Sequence, residues 1–80
     1  MASTGEIYGW VAEVLKQEFQ FREEDLFPEA HLTDDLELDS IDAIDLAVRL
    51  EERTGLSFKE EDLKSIRTIQ DVVHFIDERI

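Results

Sequence analysis

Asp34-Asp35-Leu36-Glu37-Leu38-Asp39-Ser40-Ile41-Asp42-Ala43-Ile44-Asp45-Leu46 is the stretch on which the reading of the whole chain turns. It reads as a loop that runs into a helix start, with one hydroxyl at the junction. Asp39 or Ser40 can cap that helix, because a short side-chain oxygen accepts an otherwise unpaired N–H of the first turn. Six carboxylates lie between positions 34 and 45, with no Lys or Arg among them. A block of like charge this dense ordinarily repels itself and stays disordered. Here it flanks apolar positions at helical spacing, which points to a surface built for a basic partner.

Working outward, residues 40–53 form the second helix. Asp42, Asp45, Arg49, Glu52 and Arg53 share one stripe, and Ile41, Ala43, Ile44, Leu46, Ala47, Val48 and Leu50 cover the remaining surface, with Glu51 as an exception. That apolar arc is wider than one neighbour requires, so the helix is expected to sit among several others, with Ile41 and Ile44 partly exposed at its edge. Gly55 is the expected left-handed cap. Residues 59–66 can form one or two helical turns, with Phe58, Leu63 and Ile66 turned inward. Thr68 caps a last helix whose buried stripe is Ile69, Val72, Val73, Ile76 and Ile80, flanked by Phe75, with His74 on the polar side.

Upstream, residues 21–38 hold no period. Phe27-Pro28 marks a break, because the residue before proline is pushed out of the helical region. Glu23-Glu24-Asp25 can form a helical turn. A loop this long in a compact domain is uncommon unless it is functional or packed down. Leu26, Phe27, Leu32, Leu36 and Leu38 are its apolar residues, and the leucines predict that it crosses a helix face and plugs one end of the core. His31, with no second His or Cys near it, is expected on the loop surface. Ser3 and Glu6 form a capping box. It opens an amphipathic helix of about four turns carrying Ile7, Val11, Val14, Leu15 and Phe19 on one side, with Tyr8 and Trp10 at the core margin. The expectation is all-α: a small four-helix bundle of three longer helices and one short one, with a long loop between the first two, in a single domain over residues 1–80.

Composition narrows function. A net charge of −13 on 80 residues argues against nucleic acid as a partner and favours a monomer that stays in solution. At 42% hydrophobic residues the chain can fold despite that charge. There is no cysteine, so disulfides and thiolate metal sites are excluded. The acidic block has no glycine between Gly9 and Gly55, which rules out a helix–loop–helix calcium site; no metal is expected. No apolar stretch reaches the roughly 20 residues that span a bilayer, and residues 1–6 carry neither a basic region nor an apolar run. A cytoplasmic location is the simplest expectation. Ser40 has no triad around it: the histidines are His31 and His74, one in the loop and one on the polar face of the last helix. No catalytic residue is expected, and the chain is not read as an enzyme.

Asp39-Ser40-Ile41, preceded by Asp35-Leu36 and followed by Asp42 and Asp45, resembles the prosthetic-group attachment site of acyl carrier proteins. The apolar and acidic pattern from Leu32 to Ile76 follows the same family. Two positions depart from it: Ile41 stands where leucine is commoner, and Glu37-Leu38 stands where a glycine-containing pair is frequent. The resemblance implies that Ser40 carries 4′-phosphopantetheine, transferred from coenzyme A by a phosphopantetheinyl transferase. The arm would present acyl thioesters to fatty acid, lipid or polyketide biosynthetic enzymes. It also implies a docking face for basic patches on those enzymes, here Asp35, Asp42, Asp45, Arg49 and Glu52. An acyl pocket would be lined by Ile44, Ala47, Val48, Phe58, Leu63, Ile66 and Val72, with Ala43 and Ala47 small enough to leave room. Two alternatives stand beside it: a carrier of aminoacyl or peptidyl groups, and an acidic helical adaptor that is never modified, in which Ser40 only caps. Arg49 and Arg53 interrupt the acidic stripe, either selecting partners or pairing within the helix, Asp45 with Arg49 at i,i+4.

Overall fold

The computed structural model describes residues 3–80 as four helices, α1 (Thr4–Phe19), α2 (Ser40–Thr54), α3 (Glu60–Ser65) and α4 (Ile69–Arg79), with a 3₁₀ turn at Glu23–Asp25. Met1 and Ala2, which the single-domain and leader expectations include, lie outside the described residues. The protein is a small all-α bundle of three longer helices and one short one. Ser3 caps α1, accepting the Glu6 N–H at 3.2 Å. Ile7, Val11, Val14 and Leu15 are buried on its inner face, while Tyr8, Trp10 and Phe19 are partly buried at the margin.

The opposite wall of the core is α4, where Ile69, Val72, Val73, Phe75 and Ile76 are buried. Ile80 is 45% exposed, which corrects the expected stripe. Ile80 is the C-cap position, beyond the last helical residue Arg79, so it does not continue the inward stripe. The long loop packs as its leucines require, with Leu26, Leu32, Leu36 and Leu38 buried, joined by Ala30; Phe27 stays exposed.

This loop also completes α4. The first N–H groups of a helix have no partner within it. The Ala30 carbonyl accepts from Ile69 N–H at 3.1 Å, and the Pro28 carbonyl accepts from Gln70 N–H at 2.9 Å. Thr68 Oγ1 accepts from Asp71 N–H at 3.1 Å, and the Asp71 carboxylate returns the bond, accepting from the N–H groups of Thr68 and Arg67. Partial burial opposes ionisation of Asp71, but the hydrogen bonds from Arg67 and Thr68 and the nearby His74 outweigh it and hold its carboxyl below the usual range.

A polar residue of α2 fixes the segment that follows the helix. Glu51, the exception in the apolar arc, turns its carboxylate to accept the Phe58 N–H at 2.6 Å and so ties the segment before α3. There Phe58 stacks on Phe75, centroids 4.6 Å apart, and Arg79 covers the Phe75 ring at 3.7 Å. Gly55 ends α2 with φ 77° and donates to Glu51 O at 2.8 Å, as a left-handed cap does.

Glu37 has φ 57°. A side chain is disfavoured in this left-handed region and glycine is not. The departure noted at Glu37-Leu38 thus falls on a position whose backbone suits glycine. Glu37→Gly is expected to stabilise the fold by about 0.5–1 kcal/mol, read as a rise of a few degrees in melting temperature.

Candidate functional site

Ser40 is the first residue of α2 and is exposed. Asp39, not Ser40, is the cap. Its Oδ1 accepts the Asp42 N–H at 2.8 Å, and Asp42 Oδ2 accepts the Asp39 N–H at 3.4 Å. The reciprocal box takes up the capping duty, so the Ser40 hydroxyl is not drawn into it. The N–H groups of Ser40 and Ile41, with no residue a turn behind them in the helix, remain open at the positive end of the helix dipole. Among the described residues neither His31 nor His74 hydrogen-bonds Ser40.

Ser40 and Asp39 stand at the mouth of a cleft of about 510 Å³. Its floor is Leu46, Leu50 and Val72; Phe58, Leu63 and Ile66 form one wall, and Leu32 and Leu38 of the loop another. Ala43 and Ala47 face it from α2, and their short side chains leave the space open. Of the seven residues expected to line an acyl pocket, Ile44, Ala47, Phe58, Leu63, Ile66 and Val72 line this cleft. Val48 does not. It is 43% exposed and shares the outer flank of α2 with Ile41, 75% exposed, and Ile44. A wide apolar arc does not say which flank meets a neighbour, and Val48 falls on the open one. Leu38, Leu46 and Leu50 were readable as core residues but gave no sign of bordering a cavity.

The acidic side chains expected to form a docking face have internal partners as well. Asp35 accepts the His31 N–H at 2.7 Å and so holds the loop; Asp42 belongs to the cap box. Arg49 lies 3.3 Å from Asp45 and 3.1 Å from Glu18 of α1. Its buried Nε finds no aligned acceptor, despite the short approach to Asp45. The i,i+4 pairing expected for Arg49 is thus present, and a bond to α1 is added to it. Arg53 makes no intrahelical pair. It reaches Glu13 with two nitrogens, at 3.0 and 3.1 Å. That hydrogen bond, with the guanidinium charge behind it, holds the Glu13 carboxyl below its usual range. Both arginines therefore pin α2 to α1, on the side away from the cleft. Pairs this open to solvent are screened and add little to stability. Glu52 is exposed.

The residues present fit a covalently tethered arm. An open hydroxyl and two free N–H groups suit a phosphodiester, and the adjoining apolar cleft suits a hydrocarbon cargo. No cluster of three or more metal-binding side chains exists among the described residues, and no described helix is long and apolar enough to cross a membrane.

Residues 9–76 match the family described as "Phosphopantetheine attachment site". The chain is 44% identical over 68 residues to "Acyl carrier protein 2" of Ralstonia nicotianae, covering 85% of this chain and 84% of the relative. It is 38% identical over 77 residues to "Acyl carrier protein" of Micrococcus luteus, covering 96% and 95%. It is 35% identical over 75 residues to "Meromycolate extension acyl carrier protein" of Mycolicibacterium aurum, covering 94% and 77%. With a helix-start serine beside an apolar cleft and this likeness along nearly its whole length, the chain belongs to the phosphopantetheine-bearing acyl carrier proteins.

Proposed function

We propose that Ser40 is the attachment point of 4′-phosphopantetheine and that the cleft beside it receives the acyl chain. The observation that carries this is the placement of an exposed, non-capping hydroxyl at the mouth of a 510 Å³ cleft. When bound, the arm supplies the thiol that holds an acyl group as a thioester. The chain's own residues do the rest. Ser40 Oγ anchors, the N–H groups of Ser40 and Ile41 face the phosphate, and Ala43 and Ala47 leave the cleft passable. The apolar lining favours hydrocarbon cargo over aminoacyl or peptidyl groups, whose polar atoms would lose their hydrogen bonds there. In this reading the protein performs no chemistry of its own. It works as a cytoplasmic monomer serving fatty acid, lipid or polyketide biosynthetic enzymes. The test is to supply a phosphopantetheinyl transferase and coenzyme A, then weigh the intact protein. One addition mapped to Ser40 is expected; none would favour the unmodified adaptor.

Partner enzymes dock on the acidic end of α2. Asp35, Asp42 and Asp45 keep their negative charge while serving the fold, Glu52 extends the field, and Ile41 and Ile44 offer apolar contact between the charges. Arg49 is committed to Glu18 and Asp45, so it closes the acidic field rather than contributing to it. Charge of this kind raises the rate of encounter more than affinity. Asp45→Asn removes charge without placing a second cation beside Arg49. It is expected to lower kcat/KM for loading by the transferase several-fold at low salt, with the gap narrowing as salt screens the wild type. A variant as fast as wild type at every ionic strength would remove Asp45 from the docking face.

A further inference from the structure

Among the described residues Arg67 is the one arginine with no carboxylate within 4.0 Å. Arg22, Arg49, Arg53 and Arg79 each reach one. In a chain with 21 Asp and Glu against 8 Lys and Arg, acidic partners are abundant, so a guanidinium that stays clear of them is free to meet another anion.

Its backbone is held on both sides. The Arg67 carbonyl accepts the Leu32 N–H at 2.8 Å, and its own N–H donates to Asp71 Oδ2 at 3.0 Å. An antiparallel bridge joins His31 to Thr68. The two segments therefore run side by side, and both His31 and Arg67 line the cleft that has Ser40 at its mouth. His31, expected on the loop surface, thus also borders the cleft. Its Nδ1 meets the N–H groups of Thr33 and Asp34, each at 3.3 Å, and the Thr33 hydroxyl at 2.9 Å. In the tautomer that accepts these N–H groups at Nδ1, Nε2 carries the proton and the other edge of the ring is a donor. The Asp34 carboxylate lies 3.9 Å from the same Nδ1, on the edge of the ring opposite Nε2. Lys64, also on the cleft, is already engaged with Glu60 at 3.7 Å.

We propose that Arg67, assisted by His31, pairs with the phosphodiester at Ser40 and so biases the arm toward the cleft instead of open solvent. This rests on Ser40 being the attachment point. A planar guanidinium offers paired N–H donors that match phosphate oxygens. The helix start meets the anion on one side, through the N–H groups of Ser40 and Ile41. Arg67 and His31 offer donors from another wall of the same cleft. Arg67 acts here as a positioning residue.

The experiment uses wild type, Arg67→Gln and Arg67→Lys, each unmodified and modified. The Arg67 side chain is exposed, so Arg67→Gln is expected to keep the fold. Intact mass comes first: a wild type that takes up no arm overturns the Ser40 reading and this inference with it. With all three proteins loaded, the phosphorus-31 resonance of Arg67→Gln is expected to be displaced from that of wild type. Arg67→Lys should lie between them, and the displacement should shrink in high salt. Modification is also expected to raise the melting temperature of wild type more than that of Arg67→Gln. Coincident phosphorus resonances in wild type and Arg67→Gln at low salt overturn the inference while leaving Ser40 as the attachment point. An effect confined to cargo with a terminal carboxylate overturns it too, because the anion would then be the cargo.

Discussion

Ser40→Ala is expected to abolish uptake of phosphopantetheine while leaving the fold unchanged, seen as unmodified intact mass after exposure to transferase and coenzyme A. The separation of the two effects follows from the cap. Had Ser40 been the capping residue, its loss would cost about 0.5–2 kcal/mol, and failure to be modified could be blamed on a frayed helix. Asp39 caps instead, and alanine is the best helix former. The change in stability should therefore stay within about 0.5 kcal/mol, as for other surface substitutions. A melting curve that overlays wild type, with no mass addition, assigns the hydroxyl its role. An addition that persists in Ser40→Ala would move the attachment point elsewhere.

The second large effect is at Leu50, which is 1% exposed and forms part of the cleft floor. Leu50→Ala is expected to cost about 2–5 kcal/mol, from lost burial together with the cavity left behind. In a domain of this size each kcal/mol lowers the melting temperature by roughly 4–8 °C. The variant should therefore melt about 10 °C or more below wild type in the unmodified form. A ligand that binds only the folded state raises its stability. If acyl cargo enters the cleft, it fills part of the new space. Acylated Leu50→Ala should then recover more of its melting temperature than acylated wild type gains, and longer chains should restore more than short ones. Equal increments in both proteins, at every chain length, would place the cargo outside the cleft.

Much of this architecture is legible residue by residue. The stripes of α1 and α4 announce themselves through helical spacing, and Ser3, Thr68 and Gly55 mark ends because capping is settled within three or four residues. The junction at Asp39-Ser40 is equally local, although which of the two oxygens caps is decided only by the reciprocal bond to Asp42. Val48 and Ile80 are the instructive misses. Val48 belongs to an apolar arc that spans more than one neighbour, and spacing alone does not tell its inward flank from its outward one. Ile80 continues the period of α4 past the point where the helix stops. The pairing of Arg53 with Glu13, forty residues apart, leaves no local trace, nor does the reach of Glu51 to the Phe58 N–H. His31 and Arg67 become neighbours only because the loop crosses the start of α4.

The order of residues alone determined the helices, their caps, the acidic field and the serine at a helix start, because each depends on hydrogen bonds and periodicities that close within a turn or two. Tertiary structure decided which flank of α2 opens on a cleft, which carboxylates the arginines hold, and which donors line the same cleft as Ser40. Those outcomes depend on side chains from distant segments being packed against one another, and no spacing along the chain encodes how the segments meet.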